Sequence, residues 1–478
     1  VVNTFQLRPH QDKQIKEARQ ALRDYQSILL QAPTGCGKTV MASFMVASAH
    51  NKGHDVIFQV HRRELVEQTI KTFEKAGIPH TVIGAGYHYN PRMRVAIATV
   101  GTLVNRLESV RPPRLFIPDE AHHCTATSWN KTVQWAKKYG AKVVGLSATP
   151  WRLSGEGLRD QFQHMVMGPS VSYLMENGYL SKYRAFAPSA PDMSNVHERG
   201  GDFVQQEIEQ VMTGKAVISD FVGQWRAKAL GKRTVGFASS IKHSELLVQE
   251  FNAAGIPAVH IDANTPPELR KQHILNFAAG YIPVIWNVDL FGEGFDLSAM
   301  AGRDVPIEAV IQGRPTMSLS LHLQQLGRAL RPKAEPAIIL DHAGNIMRHG
   351  LPDSPYEWTL DARPKKEKGG GDGAEERSKQ CPKCYFVHEP FYPKCPNCGH
   401  VYEKVGRQLD EVSGDLKEIT RADVDAAREE AGDKRGKQLE LPLESLIDMA
   451  YARGLKAGDA EKWAAHQFTA RMARRKRA

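Results

Sequence analysis

The sequence predicts an α/β protein of two tandem units, each a parallel sheet wrapped by helices, followed by a small cysteine-bearing segment. Three observations point there. Short β-branched runs alternate with helical stretches, and the alternation occurs twice. A glycine-rich loop follows directly on the first of these runs. Two Cys-x-x-Cys pairs come late, after a charged, Gly-rich stretch.

In the first unit, residues 27–30, 56–60, 94–99, 115–117 and 142–146 read as short buried strands, with helix-like stretches such as 63–76 between them. In the second, residues 234–237, 258–261, 284–288, 309–312 and 337–340 are the strand candidates. Lys365, Lys366 and the run Gly369-Gly370-Gly371 mark a flexible linker. The division expected is 1–168, 169–362, a linker over 363–380, a cysteine segment over 381–402, and a polar, helical region over 403–478. That last region ends in a basic tail at 471–477, which is either a solvated terminus or a polyanion contact.

At 478 residues the chain is too long for one core, and 41% hydrophobic with 24% charged residues is ordinary for a globular protein. No apolar run approaches the ~18 residues that cross a membrane, and the first ten residues lack a signal-peptide core, so a cytoplasmic protein is expected. A net charge of +10 suits a polyanionic partner, nucleic acid first. Of six cysteines, four form the two pairs, whereas Cys36 and Cys124 stand alone, which argues against a disulfide framework.

The segment Ala32-Pro33-Thr34-Gly35-Cys36-Gly37-Lys38-Thr39 is a phosphate-binding loop between a strand and a helix. Its glycines let consecutive N–H groups face phosphate oxygens, and the helix N-terminus adds partial positive charge. Lys38 can reach the β- and γ-phosphates of ATP, and the Thr39 hydroxyl can hold Mg²⁺. Cys36 occupies a variable position. Asp119 and Glu120 follow a short apolar run, which places them at the crevice end of a strand. Asp119 is expected to hold Mg²⁺ through water and Glu120 to prepare the attacking water. His122 and His123 lack zinc-ligand spacing, and Cys124 reads as a packing residue.

Asp119-Glu120-Ala121-His122, with the phosphate loop and Leu146-Ser147-Ala148-Thr149-Pro150, resembles the DEAD/DEAH-box superfamily 2 helicases and translocases. The resemblance runs over about residues 5–345 and implies two RecA-like domains. It implies that Leu7-Arg8-Pro9-His10-Gln11 recognises adenine through Gln11, with His10 standing where Tyr or Phe is common. By the same resemblance His61, Arg62, Arg63, Thr99, Val100, Gly101 and Thr102 contact a nucleic-acid backbone, as do Ser239, Ser240 and His243 from the second unit. His122, Ser147, Ala148 and Thr149 couple the nucleotide site to the strand. Gly294 and Asp296, in Phe291-Gly292-Glu293-Gly294-Phe295-Asp296, belong to the nucleotide site, and residues 301–306 look like a small insertion after them. Gln324-Gln325-Leu326-Gly327-Arg328-Ala329-Leu330-Arg331 is similar to the family's Q-x-x-G-R-x-x-R, which gives Gln324, Arg328 and Arg331 catalytic roles at the γ-phosphate. Among relatives, the chain is most like RadD-type and phage-encoded DNA helicases, in which Asp341-His342-Ala343-Gly344-Asn345 and then cysteine pairs follow.

Cys381, Cys384, Cys395 and Cys398 have the spacing of a closed tetrahedral S₄ site, structural rather than catalytic. Zinc is the expected ion; iron uses the same ligands. Tyr385, Phe386, Phe391, Tyr392 and Tyr402 pack around that knuckle or stack on bases. The function expected is an ATP-dependent helicase or translocase, with DNA favoured over RNA and a setting of repair, recombination or phage replication. The alternatives are a duplex translocase that does not separate strands and an ATP-gated nucleic-acid clamp.

Overall fold

The computed structural model describes residues 6–151, 155–187, 193, 196–200, 202–291, 297–362, 379–380, 387–388, 394, 399–400, 417–423 and 425–426. The first sheet holds β1 (Ser27–Gln31), β2 (Val56–Val60), β3 (Thr81–Ile83), β4 (Val95–Thr99), β5 (Leu115–Pro118), β6 (Lys142–Ser147) and β7 (His164–Met167). They lie in the order β3-β4-β2-β5-β6-β1-β7, every pairing parallel. Helices cover both faces, so β1 and β2 are buried at every position and read as unbroken apolar runs.

The second sheet is built from β8 (Tyr183–Ala187) and, past a short antiparallel ribbon of β9 (Glu198–Arg199) and β10 (Asp202–Phe203), from β11 (Thr234–Ala238), β12 (Ala258–Ile261), β13 (Val284–Asn287), β14 (Ala309–Gly313) and β15 (Ala337–Asp341). Their order is β12-β13-β11-β14-β15-β8, again parallel. Its centre is aromatic. Trp225, Phe221, Phe251 and Trp286 are fully buried and meet edge to face. The two α/β lobes expected from the sequence are therefore present.

Beyond the second lobe two expectations need correction. The last two residues of the expected linker form β16 (Lys379–Gln380), antiparallel to β17 (Val387–His388), in a small unit of their own. Within the region expected to be helical, β18 (Lys417–Ile419) pairs antiparallel with β8 and closes that edge of the second sheet. An unpaired edge carries free N–H and C=O groups, and a returning strand satisfies them at little cost in sequence signal. Residues 363–378, Cys381, Cys384, Cys395, Cys398, the five aromatics beside them and the tail 471–477 lie outside the described residues.

After β15 the chain crosses back to the first lobe. The Leu158 N–H donates to the Leu360 carbonyl at 2.8 Å. Leu360, 3% exposed, joins the first lobe's core beside Leu158 and Phe162. Trp358 sits 5.0 Å from Trp151 and 5.2 Å from Tyr356 by ring centroids. Arg159 and Asp361 make a two-pronged ion pair at 2.9 Å, but both are exposed and water screens it. The inserted leucine carries this attachment. We expect Leu360→Ala to lower unfolding stability by about 2–4 kcal/mol in chemical denaturation, and Asp361→Ala to leave it nearly unchanged.

Candidate active site

The site is assembled where β1, β6 and β5 end side by side. The phosphate loop leaves β1 and the carboxylates leave β5, two strand spacings away, so about 10 Å of crevice separates them. The loop turns through Gly37 at φ +93°, in the left-handed region, and the helix Lys38–Asn51 begins at the next residue. A Cβ on Gly37 would press on the Gln11 amide, which would have to shift, and the positive φ is the stronger ground for glycine there.

The loop is braced from the first helix, Pro9–Asp24. The Cys36 carbonyl accepts from Gln11 Nε2 at 2.9 Å and lies 3.3 Å from His10 Nε2. Gln11 Oε1 in turn accepts from the Arg8 N–H at 2.9 Å. Burial holds His10 below the usual imidazole range, so its ring is neutral. Cys36 is fully buried and burial pushes its thiol up, in keeping with a residue that shapes the loop without reacting. The Lys38 ammonium donates to the Ala32 carbonyl at 3.2 Å, folded back across the loop. Pro33 and Thr34 are half-buried and Thr39 is exposed.

Asp119 and Glu120 are neighbours at the end of β5, and Glu120 takes φ +50°, a strained value for a residue with a side chain. Loss of water around Asp119, and then the charge of Glu120, push the Asp119 carboxyl up to about 6 against the pull of Lys38. Two carboxylates crowded in this way fit a divalent cation, which would relieve both. His122 Nδ1 lies 3.2 Å from Ser147 Oγ and 3.5 Å from Glu120 Oε2. Ser147 Oγ donates its single proton to the Thr149 carbonyl at 2.6 Å, so His122 Nδ1 must be the donor to Ser147. Thr149 Oγ1 then donates to Ser320 Oγ at 2.7 Å, in the second lobe. Ala148 lies between, buried, its carbonyl accepting from Gln31. Cys124 packs in the first lobe's core, as expected of it.

Ser320 opens the helix Leu319–Gly327, which carries Gln324 and is capped by Arg328. Gly327 meets the phosphate loop directly. A Cβ there would stand 2.5 Å from Thr34 Cγ2, so a larger residue would hold the lobes apart. Arg328 is buried and Arg331 half-buried, and both line a cavity with Phe291, Leu297, Val305 and Ile307. Gln324 is buried, and its Nε2 has no hydrogen-bond partner among the described residues. Gly294 and Asp296 lie outside the described residues.

The nucleic-acid candidates fall into two groups. Arg62, Arg63, Thr99, Val100, Gly101 and Thr102 are at least partly exposed, Thr99 Oγ1 donating to Thr102 Oγ1 at 3.0 Å. His61 is half-buried against His123 and Trp129. Arg62 also donates to the Asp289 carbonyl of the second lobe at 3.1 Å, a contact with no sequence signal. In the second lobe the expectation changes. Ser239 and His243 are fully buried and 2.8 Å apart through Oγ and Nδ1, and burial lowers His243 to about 3. Their side chains fix the turn from inside and cannot reach a strand from there. Ser240 caps the helix Ile241–Ala253 by accepting from the His243 N–H.

The raised Asp119 has a consequence for stability. Its folded value of about 6 exceeds its ordinary 3.8, so ionising it costs stability as pH rises through that window. We expect Asp119→Asn, in metal-free protein near about pH 7.5, to melt higher than wild type by an amount on the order of 1–3 kcal/mol. Differential scanning calorimetry should show that gap closing as pH falls from about 6 to 3.8.

Residues 4–152 match the family described as Type III restriction enzyme, res subunit, and residues 215–333 match the Helicase conserved C-terminal domain. A 51.5 kDa protein of Lactococcus phage (isolate 7-9) is 35% identical over 373 residues, 78% of this chain and 77% of its own. The Saccharomyces cerevisiae protein provisionally named ATP-dependent helicase IRC3 is 27% identical over 321 residues, 62% of this chain and 45% of its own length. Among solved structures, the ATP-dependent Type ISP restriction-modification enzyme LlaBIII bound to DNA superposes with a TM-score of 0.54 at 16% identity. That match covers 71% of this chain and 28% of LlaBIII, and it is a likeness of fold. With both lobes matched in order and the phage relative aligned over most of its length, the chain belongs to the DEAD/DEAH-like superfamily 2 helicases.

Proposed function

We propose that this ATP-dependent nucleic-acid enzyme is a motor that moves along DNA and separates or remodels its strands, in repair, recombination or phage replication. The observation that carries the reading is the meeting of Thr34 with Gly327, which sets the arginine segment of one lobe against the phosphate loop of the other. In this reading the loop N–H groups and Lys38 hold the phosphates, which first requires Lys38 to leave the Ala32 carbonyl. Thr39 and Asp119 hold Mg²⁺, which when bound offsets phosphate charge. Glu120 orients the attacking water and takes its proton. Gln324 meets the water or the γ-phosphate with its buried amide, and Arg328 and Arg331 stabilise charge that grows on the transferred group. The line from His122 through Ser147 and Thr149 to Ser320 passes the state of Glu120 to the second lobe.

Arg62, Arg63 and residues 99–102 give the strand a backbone-reading surface, which implies salt-sensitive and largely sequence-independent binding. The phage origin of one relative and the restriction-type match of the first lobe support DNA as the track. The restriction-type match also favours a second reading, a translocase on duplex DNA that leaves the strands paired. Hydrolysis measured alone and with single-stranded DNA, duplex, fork and RNA separates these. We expect strong stimulation by DNA, none in Lys38→Ala, and a loss of about 10³-fold or more in Arg328→Ala. Strand displacement from the fork supports the helicase, and duplex-stimulated turnover without displacement supports the translocase. Stimulation by RNA alone overturns the DNA track, and no turnover under any condition overturns the motor.

Cys381, Cys384, Cys395 and Cys398 are proposed to hold one structural Zn²⁺, on the strength of their spacing. Elemental analysis should find one zinc per chain in wild type and a loss of it in Cys381→Ser.

A further inference from the structure

Three consecutive residues of the segment joining the lobes touch three different parts of the nucleotide site. Tyr179 lies against the adenine-recognition segment, its ring centroid 5.1 Å from the Arg8 guanidinium carbon and 4.7 Å from the His10 ring. Leu180 Cδ2 comes within 2.9 Å of where a Cβ on Gly35 would stand. The Ser181 N–H donates at 2.9 Å to the carbonyl of Leu330, the residue before Arg331. The backbone is pinned here, since the N–H groups of Tyr179 and Leu180 both donate to the Leu174 carbonyl.

We propose that Tyr179 is the surface on which the nucleobase stacks, so that base recognition is built into the joint between the lobes. This rests on the ATP-driven reading above. Within the adenine-recognition segment the one ring is His10, which is 6% exposed and turned toward the Cys36 carbonyl, so it offers no open face. Tyr179 is half-buried, in contrast to the closed-in His10. Gln11 is engaged at both ends of its amide, Nε2 donating to the Cys36 carbonyl and Oε1 accepting from the Arg8 N–H. Beside the Tyr179 ring, His10 Nδ1 is buried without a hydrogen-bond partner among the described residues, a cost that the amino group of a base would relieve. Arg8 now lies on the tyrosine, and its side chain is exposed. A base between the two needs about 3.5 Å on each side, or about 7 Å in place of 5.1 Å. Arg8 would then cover the base from above. Because Ser181 is tied to Leu330, seating the base also bears on the arginine segment.

The test is equilibrium binding by the full chain, with ATP and ribose 5-triphosphate competing against a fluorescent ATP analogue. The variants are Tyr179→Leu, which keeps apolar bulk, and Tyr179→Phe, which keeps the ring. Stacking on an aromatic ring predicts that Tyr179→Leu weakens ATP about tenfold, leaves ribose triphosphate unchanged, and that Tyr179→Phe behaves as wild type. Equal weakening of both ligands, or no weakening, overturns the proposal. Nitration of Tyr179 in wild-type protein gives a second measure that needs no variant. Protection by ATP and not by ribose triphosphate supports the stack, and equal protection overturns it. Wild-type protein that binds neither triphosphate, with Lys38→Ala no different, overturns the nucleotide site itself and not Tyr179 alone.

Discussion

Two adjacent carboxylates with little water around them set the terms for the rest of the site. Asp119 and Glu120 repel each other, and the Lys38 ammonium that pulls against this is itself turned to a carbonyl. Such a pair is stable only where the backbone beneath it cannot yield. The parallel sheet supplies that support, because β5, β6 and β1 are locked edge to edge and fixed by buried apolar side chains on both faces. The left-handed Glu120 is the visible sign of strain at this point. A site held in this condition is poised for cationic and phosphate ligands that complete its charge balance.

Among the described residues, several contacts across the cleft are small, whereas the cores within each lobe are large and apolar. They include a hydroxyl pair at Thr149 and Ser320, a guanidinium to a carbonyl at Arg62, and a glycine against a threonine. Hydrogen bonds of this kind are worth about 0.5–1.5 kcal/mol each, too little to freeze the lobes and enough to bias them. This division suits a molecule whose halves keep their shape while changing their separation.

The sheets were legible because their strands are buried on both faces. Val56–Val60 and Ala258–Ile261 have the bounds that their apolar runs suggest. β3, Thr81–Ile83, is buried but only three residues long, and two other unread strands lack that signal. β7 mixes His164 with two methionines, and β18 comes from a polar region far along the chain. The phosphate loop and its carboxylates could be read because their chemistry demands particular residues at fixed spacing. Tyr179, Asp289 and Trp358 could not, because each acts through a contact between residues distant in sequence, which no local pattern encodes. Ser239 and His243 show the converse. The resemblance gave them a strand-binding role, and the fold turned both inward to satisfy each other.

The return of Leu360 into the first lobe changes how the halves can move. A chain with two lobes and one linker can swing, twist and slide about a single point. Here the second lobe is fastened to the first at both of its ends, through the segment that leads into β8 and through the segment that follows β15. Two fixed points define a line, and rotation about that line is the one large motion that strains neither attachment. A lobe held at two such points resembles a door on two hinges, and a cleft between the lobes would open about the line that joins them.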